Sequence, residues 1–118
     1  MKNKEYVSII KMIEYIDKTI KYTNGYTFEE FCTDDKTIDA TVFTISQIGE
    51  LVKNISKDTM KKYAMIEWNM IKGLRNRIIH DYEGISLKSI WYIVKNDIIQ
   101  LRDDLNNIIN LEKVEAGE

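Results

Sequence analysis

The sequence predicts an all-α fold: an antiparallel four-helix bundle with one short extra helix. Three observations lead there. No proline interrupts the 118 residues, so nothing forbids long helices. Apolar residues recur at steps of three and four, the period of one helix face. Turn signals such as Asn24-Gly25 and Gly84 fall between these stretches and leave only short connections, which favour antiparallel neighbours.

The first helix is expected over about residues 4–22, with Val7, Ile10, Ile13, Ile16 and Ile20 facing inward. Asn24-Gly25 ends it. Thr27-Phe28-Glu29-Glu30 is a capping-box pattern that starts a short helix carrying Phe28 and Phe31. Asp34 or Asp35 then caps a helix over about 36–56, with Ile38, Val42, Ile45, Ile48, Leu51, Val52 and Ile55 inward. Residues 57–65 read as a polar connection with room for one helical turn. A third long helix is expected over 66–82, closed by Gly84, and Ser86 is the expected cap of a fourth over 87–112. That last stripe is Leu87, Ile90, Trp91, Val94, Ile98, Leu101, Leu105, Ile108 and Ile109, and residues 112–118 are expected to fray. No linker or repeat divides the chain, so residues 1–118 read as one domain.

Composition excludes several classes. With 17 basic and 19 acidic residues the net charge is −2, unlike a general nucleic-acid coating protein. Any RNA contact must be local, and Lys57, Lys61, Lys62, Lys72, Arg75 and Arg77 are the candidate patch; an ordinary solvated face is the alternative. No apolar run approaches the roughly 20 residues of a membrane span, and no signal peptide is expected at the N-terminus. The single cysteine, Cys32, excludes an internal disulfide, fits a reducing cytoplasm and reads as a small buried hydrophobe. One Cys and one His cannot furnish a tetrahedral zinc site, and the chain lacks the carboxylate cluster that usually holds Mg²⁺, so neither metal nor cofactor is expected.

The stretch Gly73-Leu74-Arg75-Asn76-Arg77-Ile78-Ile79-His80-Asp81-Tyr82 holds the sole histidine. At about 100° per residue, Ile71, Ile78 and Tyr82 fall to one side of Arg75 and Trp68 and Ile79 to the other. Arg75 is thus expected to leave the middle of an apolar stripe, with Asn76 and His80 flanking it. Trp68, Ile71, Leu74 and Ile78 must pack on the bundle, while the Arg75–His80 side needs a polar setting. A homodimer with two motif helices meeting across a two-fold axis would supply one.

These residue types suit RNA cleavage. A histidine moves protons at neutral pH. An arginine offers a fixed cation and forked donors to phosphoryl oxygens. Asn76 can orient the imidazole or donate to a phosphate oxygen, and Tyr82 can stack on a base or donate to phosphate. RNA rather than DNA is the expected substrate, because the attacking group is the 2′-hydroxyl. Spacing alone leaves blander readings open: His80 as a surface residue, Arg75 as an ion-pair partner of Glu50, Tyr82 as half-buried packing, and Trp68 and Trp91 as core anchors.

Arg75-Asn76-x-x-x-His80-x-Tyr82 resembles the HepT branch of the HEPN superfamily, small toxins encoded beside an MNT-type minimal nucleotidyltransferase. The resemblance covers nearly the whole chain. Thr27-Phe28-Glu29-Glu30-Phe31 with Asp35-Lys36-Thr37, Ile48-Gly49-Glu50, Trp68 ahead of Ile71-Lys72-Gly73-Leu74, then Gly84, Trp91 and Lys95-Asn96-Asp97 follow in the family's order. It implies a dimerising HEPN bundle whose two motifs line one cleft, and metal-independent endoribonuclease activity. Arg75 and His80 match the catalytic pair and Asn76 the polar residue after the Arg. Tyr82 matches the tyrosine on which the partner nucleotidyltransferase places AMP, silencing the toxin in a type VII-like toxin–antitoxin pair. Glu50 stands in a family-typical position and is expected to pair with Arg75 or orient the site. A non-catalytic nucleotide- or RNA-binding module, or a helical interaction module, is the alternative. Ser86 stands where relatives often carry aspartate, and their prolines are absent near Ala64-Met65-Ile66 and Ile98-Ile99-Gln100; these departures touch helix boundaries, not the motif.

Overall fold

Every regular element in the computed structural model, which describes residues 1–78 and 86–117, is helical. Helix α1 (Asn3–Thr23) stops before Gly25, whose φ of 80° is a left-handed conformation that suits glycine. Thr27 starts α2 (Phe28–Cys32) with both bonds of the expected capping box: its Oγ1 accepts from the Glu30 N–H at 3.1 Å, and Glu30 Oε1 accepts from the Thr27 N–H at 3.0 Å. Asp34 caps α3 (Asp35–Leu51), accepting from the Thr37 N–H at 3.0 Å. The Tyr26 hydroxyl donates to its other oxygen at 2.6 Å, and these bonds hold the carboxyl below its ordinary range.

Helix α3 ends at Leu51, short of the expected residue 56, and a 3-10 turn follows over Val52–Asn54. The tighter turn lets this stretch dock on α1. Asn54 Nδ2 donates to Ser8 Oγ at 3.1 Å, and the Ser56 N–H donates to Glu5 Oε1 at 2.6 Å. Ser56 then caps α4 (Lys57–Lys62), a full helix where one turn was expected.

The helix expected over 66–82 begins later and is divided. Residues 63–68 form tight turns, with Ile66 N–H bonded to Tyr63 O and Trp68 N–H to Ile66 O, so α5 spans Trp68–Lys72. Gly73 closes α5, and the chain is helical again over 74–78, here α6. Glycine, the weakest helix former after proline, stands at the break. Residues 79–85 lie outside the described residues, so the expected run to 82 and the stop at Gly84 do too.

The last long helix appears as α7 (Leu87–Tyr92), a π turn (Ile93–Asp97) and α8 (Ile98–Glu115). Ser86 holds the N-cap position, but its side chain does not cap; its Oγ bonds Ser89 Oγ at 2.9 Å instead. The extra residue of the π turn lets Ile93 join Val94 in the core, which a regular 3.6-residue stripe did not foresee. Helix α8 continues to Glu115, past Glu112, the first residue expected to fray. Glu112 explains the extension: its carboxylate accepts from the Tyr63 hydroxyl, lies 3.0 Å from Lys62 Nζ and 3.2 Å from the Met1 amino group. The Tyr63 hydrogen bond is the largest influence on that carboxyl; with the two cations it outweighs burial and holds the group at about 2.

Contacts define the layers. On α1, Thr19 meets Thr44 (Oγ1–Oγ1 2.6 Å) while Ser8 meets Asn54, so α1 and α3 run antiparallel. Asp17 lies 3.5 Å from Arg102 while Met1 reaches Glu112, so α1 and α8 are antiparallel as well. Most of the α3, α5–α6 and α7–α8 stripes bury as expected, down to Ile45, Ile48, Ile78, Ile98 and Leu105 with no exposed surface, while Val42, Leu51 and Leu87 are half-buried. The α1 stripe is corrected: Val7 is exposed, and the buried line is Ile9, Met12, Ile16, Thr19 and Thr23. Apolar residues surround much of α1, so periodicity could not choose a face. The Thr19–Thr44 pair chooses it, with Thr19 also donating to Tyr15 O at 2.8 Å. Trp91 is half-buried rather than a core anchor, its ring 5.0 Å from Phe31, and Cys32 is half-buried rather than buried. Among the described residues, no helix is long and apolar enough to cross a membrane.

Candidate active site

The two elements that meet at Arg75 are the end of α3 and the α5–α6 pair. Gly49 makes the meeting possible. A Cβ at Gly49 would stand 3.1 Å from Ile71 O and 3.2 Å from Arg75 N, closer than side-chain carbons normally come to backbone. Without one, α3 closes directly on the backbone of the motif segment and sets Glu50 beside Arg75. Arg75 Nη1 lies 3.4 Å from Glu50 Oε1, and the two side chains are 51% and 37% exposed. The sequence expectation of a Glu50–Arg75 pair is therefore met, as a solvated pair.

Arg75 is exposed, and Ile79 and Tyr82, which the expected stripe also counted, lie outside the described residues. The buried line is Trp68, Ile71, Leu74 and Ile78, and Arg75, Asn76 and Arg77 are exposed beside it. The polar setting expected for the motif is present on the Arg75 side: a groove of about 240 Å³ lined by Gly49, Glu50, Lys53, Lys72, Arg75 and Asn76. Gln47 and Leu51 extend it along α3. His80 and Tyr82, the expected acid/base and modification residues, lie outside the described residues. The structure thus brings Arg75, Asn76 and Glu50 together.

The expected basic patch is redistributed. Lys62 pairs elsewhere, 2.6 Å from Glu115 and 3.0 Å from Glu112. Arg77 turns to Asp97 of the π turn, at 3.9 Å. Lys72 alone of the expected lysines lines the Arg75 groove, and Lys53, absent from that patch, lines it too. The missed signal was local: Lys53 follows Glu50 by three residues and bonds it at 3.4 Å. Among the described residues no group of three His, Cys, Asp or Glu side chains could hold a metal ion.

A groove of cations around one carboxylate, beside an Arg-Asn pair, suits a phosphate-bearing ligand. Comparison with known proteins decides the family. The Ribonuclease HepT-like family matches over residues 12–108. The chain belongs to that family. Its HepT-like relatives include a "Putative RNase" of Methanocaldococcus jannaschii, 37% identical over 107 residues, 91% of this chain and 86% of that protein. A "Putative RNase" of Caldanaerobacter subterraneus subsp. tengcongensis is 31% identical, covering 89% of this chain and 91% of its own length. A "Probable ribonuclease HepT" of Thermococcus cleftensis is 34% identical, covering 85% and 89%. No solved structure matches the chain.

Proposed function

We propose that this protein is a metal-independent endoribonuclease, the toxin of a type VII-like HEPN/MNT toxin–antitoxin pair. Membership of the Ribonuclease HepT-like family supports the ribonuclease class, and the exposed Arg75–Asn76 edge over an open, cation-lined groove is the observation that carries it to a site.

In this mechanism His80 takes the proton from the RNA 2′-hydroxyl, the oxygen attacks the adjacent phosphorus, and the bond to the 5′-oxygen breaks. The products are a 2′,3′-cyclic phosphate and a 5′-hydroxyl, with the leaving oxygen protonated by a histidine or by water. Arg75 stabilises the charge that builds on the phosphoryl oxygens, which water-exposed donors in the ground state do less well than a desolvated fork. Asn76 adds a neutral donor. Glu50 keeps Arg75 at the groove until substrate arrives. Two antiparallel four-helix bundles pair as a homodimer and place two motifs in one cleft. The partner nucleotidyltransferase transfers AMP to Tyr82, filling the cleft with a phosphate and a base and silencing the enzyme.

The Arg75–Glu50 ion pair also fits a second reading, in which Arg75 is structural and the groove binds RNA without cutting it. Two variants separate them. Arg75→Lys keeps the charge but loses the fork, and is expected to lower the cleavage rate by about a hundred-fold. Arg75→Met, at an exposed site, is expected to leave the melting temperature nearly unchanged and to abolish cleavage. Full cleavage by Arg75→Met would remove Arg75 from catalysis, whereas RNA binding by wild type with no cleavage to lose in either variant would favour the second reading.

A further inference from the structure

We propose that Lys53, Lys72 and Arg75 form a binding subsite for a backbone phosphodiester of single-stranded RNA, with Glu50 as the resident counter-ion that the phosphate displaces; this rests on the ribonuclease reading. The three cations come from three elements. Lys53 sits in the 3-10 turn after α3, Lys72 at the end of α5 and Arg75 in α6, yet all line one groove of about 240 Å³. Three cations against one carboxylate leave a local charge of +2 in a chain whose net charge is −2.

Glu50 is shared rather than saturated. Its Oε1 lies 3.4 Å from Arg75 Nη1, and its Oε2 lies 3.4 Å from Lys53 Nζ. Charge-assisted bonds close to about 2.7–2.9 Å when well formed, so both contacts are loose. Exposed pairs of this kind contribute little, on the order of 0–1 kcal/mol. A phosphodiester offers two unesterified oxygens with one negative charge, enough to replace the Glu50 contacts to Arg75 and Lys53 and to recruit Lys72. Lys72 makes no ion pair among the described residues. Gly49 helps bring the three together, because the missing Cβ lets α3 lie this close to Ile71 and Arg75 without displacing them.

The test is RNA affinity across a salt series, with a short 2′-O-methylated oligoribonucleotide that binds but lacks the attacking hydroxyl. The unmodified wild type is compared with Lys53→Ala/Lys72→Ala and with a charge-matched control, Lys21→Ala/Lys36→Ala. Lys36 lies near the start of α3, about 25 Å from Lys53 at 1.5 Å per residue. All four lysines are exposed, so the variants are expected to fold, and circular dichroism checks this. The subsite variant is expected to lower the slope of log affinity against log salt by about 0.7, the share of one phosphate contact on a single strand. The control is expected to keep the wild-type slope, and Glu50→Gln to bind more tightly.

An unchanged slope in Lys53→Ala/Lys72→Ala, an equal fall in the control, or no RNA binding by wild type would overturn the subsite. Weaker binding by Glu50→Gln would overturn its counter-ion role. Wild-type cleavage of ordinary RNA is scored separately. A shifted slope without cleavage leaves the subsite standing and removes the ribonuclease reading; cleavage with an unchanged slope removes the subsite alone.

Discussion

At the scale of single residues, Gly49 sets how closely the two sides of the site approach. A methyl group there meets two backbone atoms rather than a flexible side chain, so α3 and α5–α6 must give by a few tenths of an ångström. Gly49→Ala is expected to cost about 1–3 kcal/mol, as overpacking does elsewhere, and to slow cleavage disproportionately, because Glu50 and Arg75 shift apart. Chemical denaturation and cleavage assays on the same preparation check this; a fully active, fully stable variant would show that the close approach is not needed. The sequence exposed part of this site. Glu50 opposite Arg75 was legible, and so was the polar side of the motif. The role of Gly49 was not, because a helical glycine looks like a minor loss of propensity until the neighbouring backbone is in view. Lys53 was missed because the basic patch was read along the chain, whereas the groove collects cations across elements.

At the scale of elements, long-range polar bonds accompany the buried face of α1. The Glu5 carboxylate, 4% exposed, accepts from the backbone N–H groups of Ser56 and Lys2 at 2.6 and 3.0 Å. Burial pushes this carboxyl up, but hydrogen bonding from the Ser56 side chain, then from the Ser56 and Lys2 backbone and the Thr59 side chain, outweighs it and holds it at about 2, against an ordinary 4.5. Its folded pKa is depressed, so its stabilisation is complete above about 4.5 and is lost as pH falls towards about 2. Glu5→Gln is expected to destabilise by about 1–3 kcal/mol near neutral pH. Urea titrations at several pH values should show the gap to wild type closing between those limits; a constant gap would mean the carboxylate charge does not matter. Helix existence was readable from period and caps, as Thr27 and Asp34 illustrate. The break at Gly73, the π turn at Ile93–Asp97 and the buried face of α1 were not. The extension of α8 and the buried face of α1 depend on partners tens of residues away: Tyr63 on Glu112 and Thr19 on Thr44. A periodic stripe reports that a helix has an inner face, and only such contacts fix its phase.

At the scale of the whole molecule, the proposed enzyme is a pair of chains. Each carries one Arg75–Asn76 edge, exposed on the chain alone. Light scattering at micromolar concentration is expected to return twice the 13.9 kDa chain mass, and a mass of one chain would remove the shared cleft. The most direct test of the central claim is RNA cleavage by the purified protein, produced without any partner and assayed in EDTA, with His80→Ala alongside. Intact mass is read first, so that a preparation bearing AMP on Tyr82 is recognised and replaced by unmodified protein. The expected result is fragments with 2′,3′-cyclic phosphate ends from wild type and none from His80→Ala. Intact RNA with unmodified wild type, or equal cleavage by the variant, would contradict it.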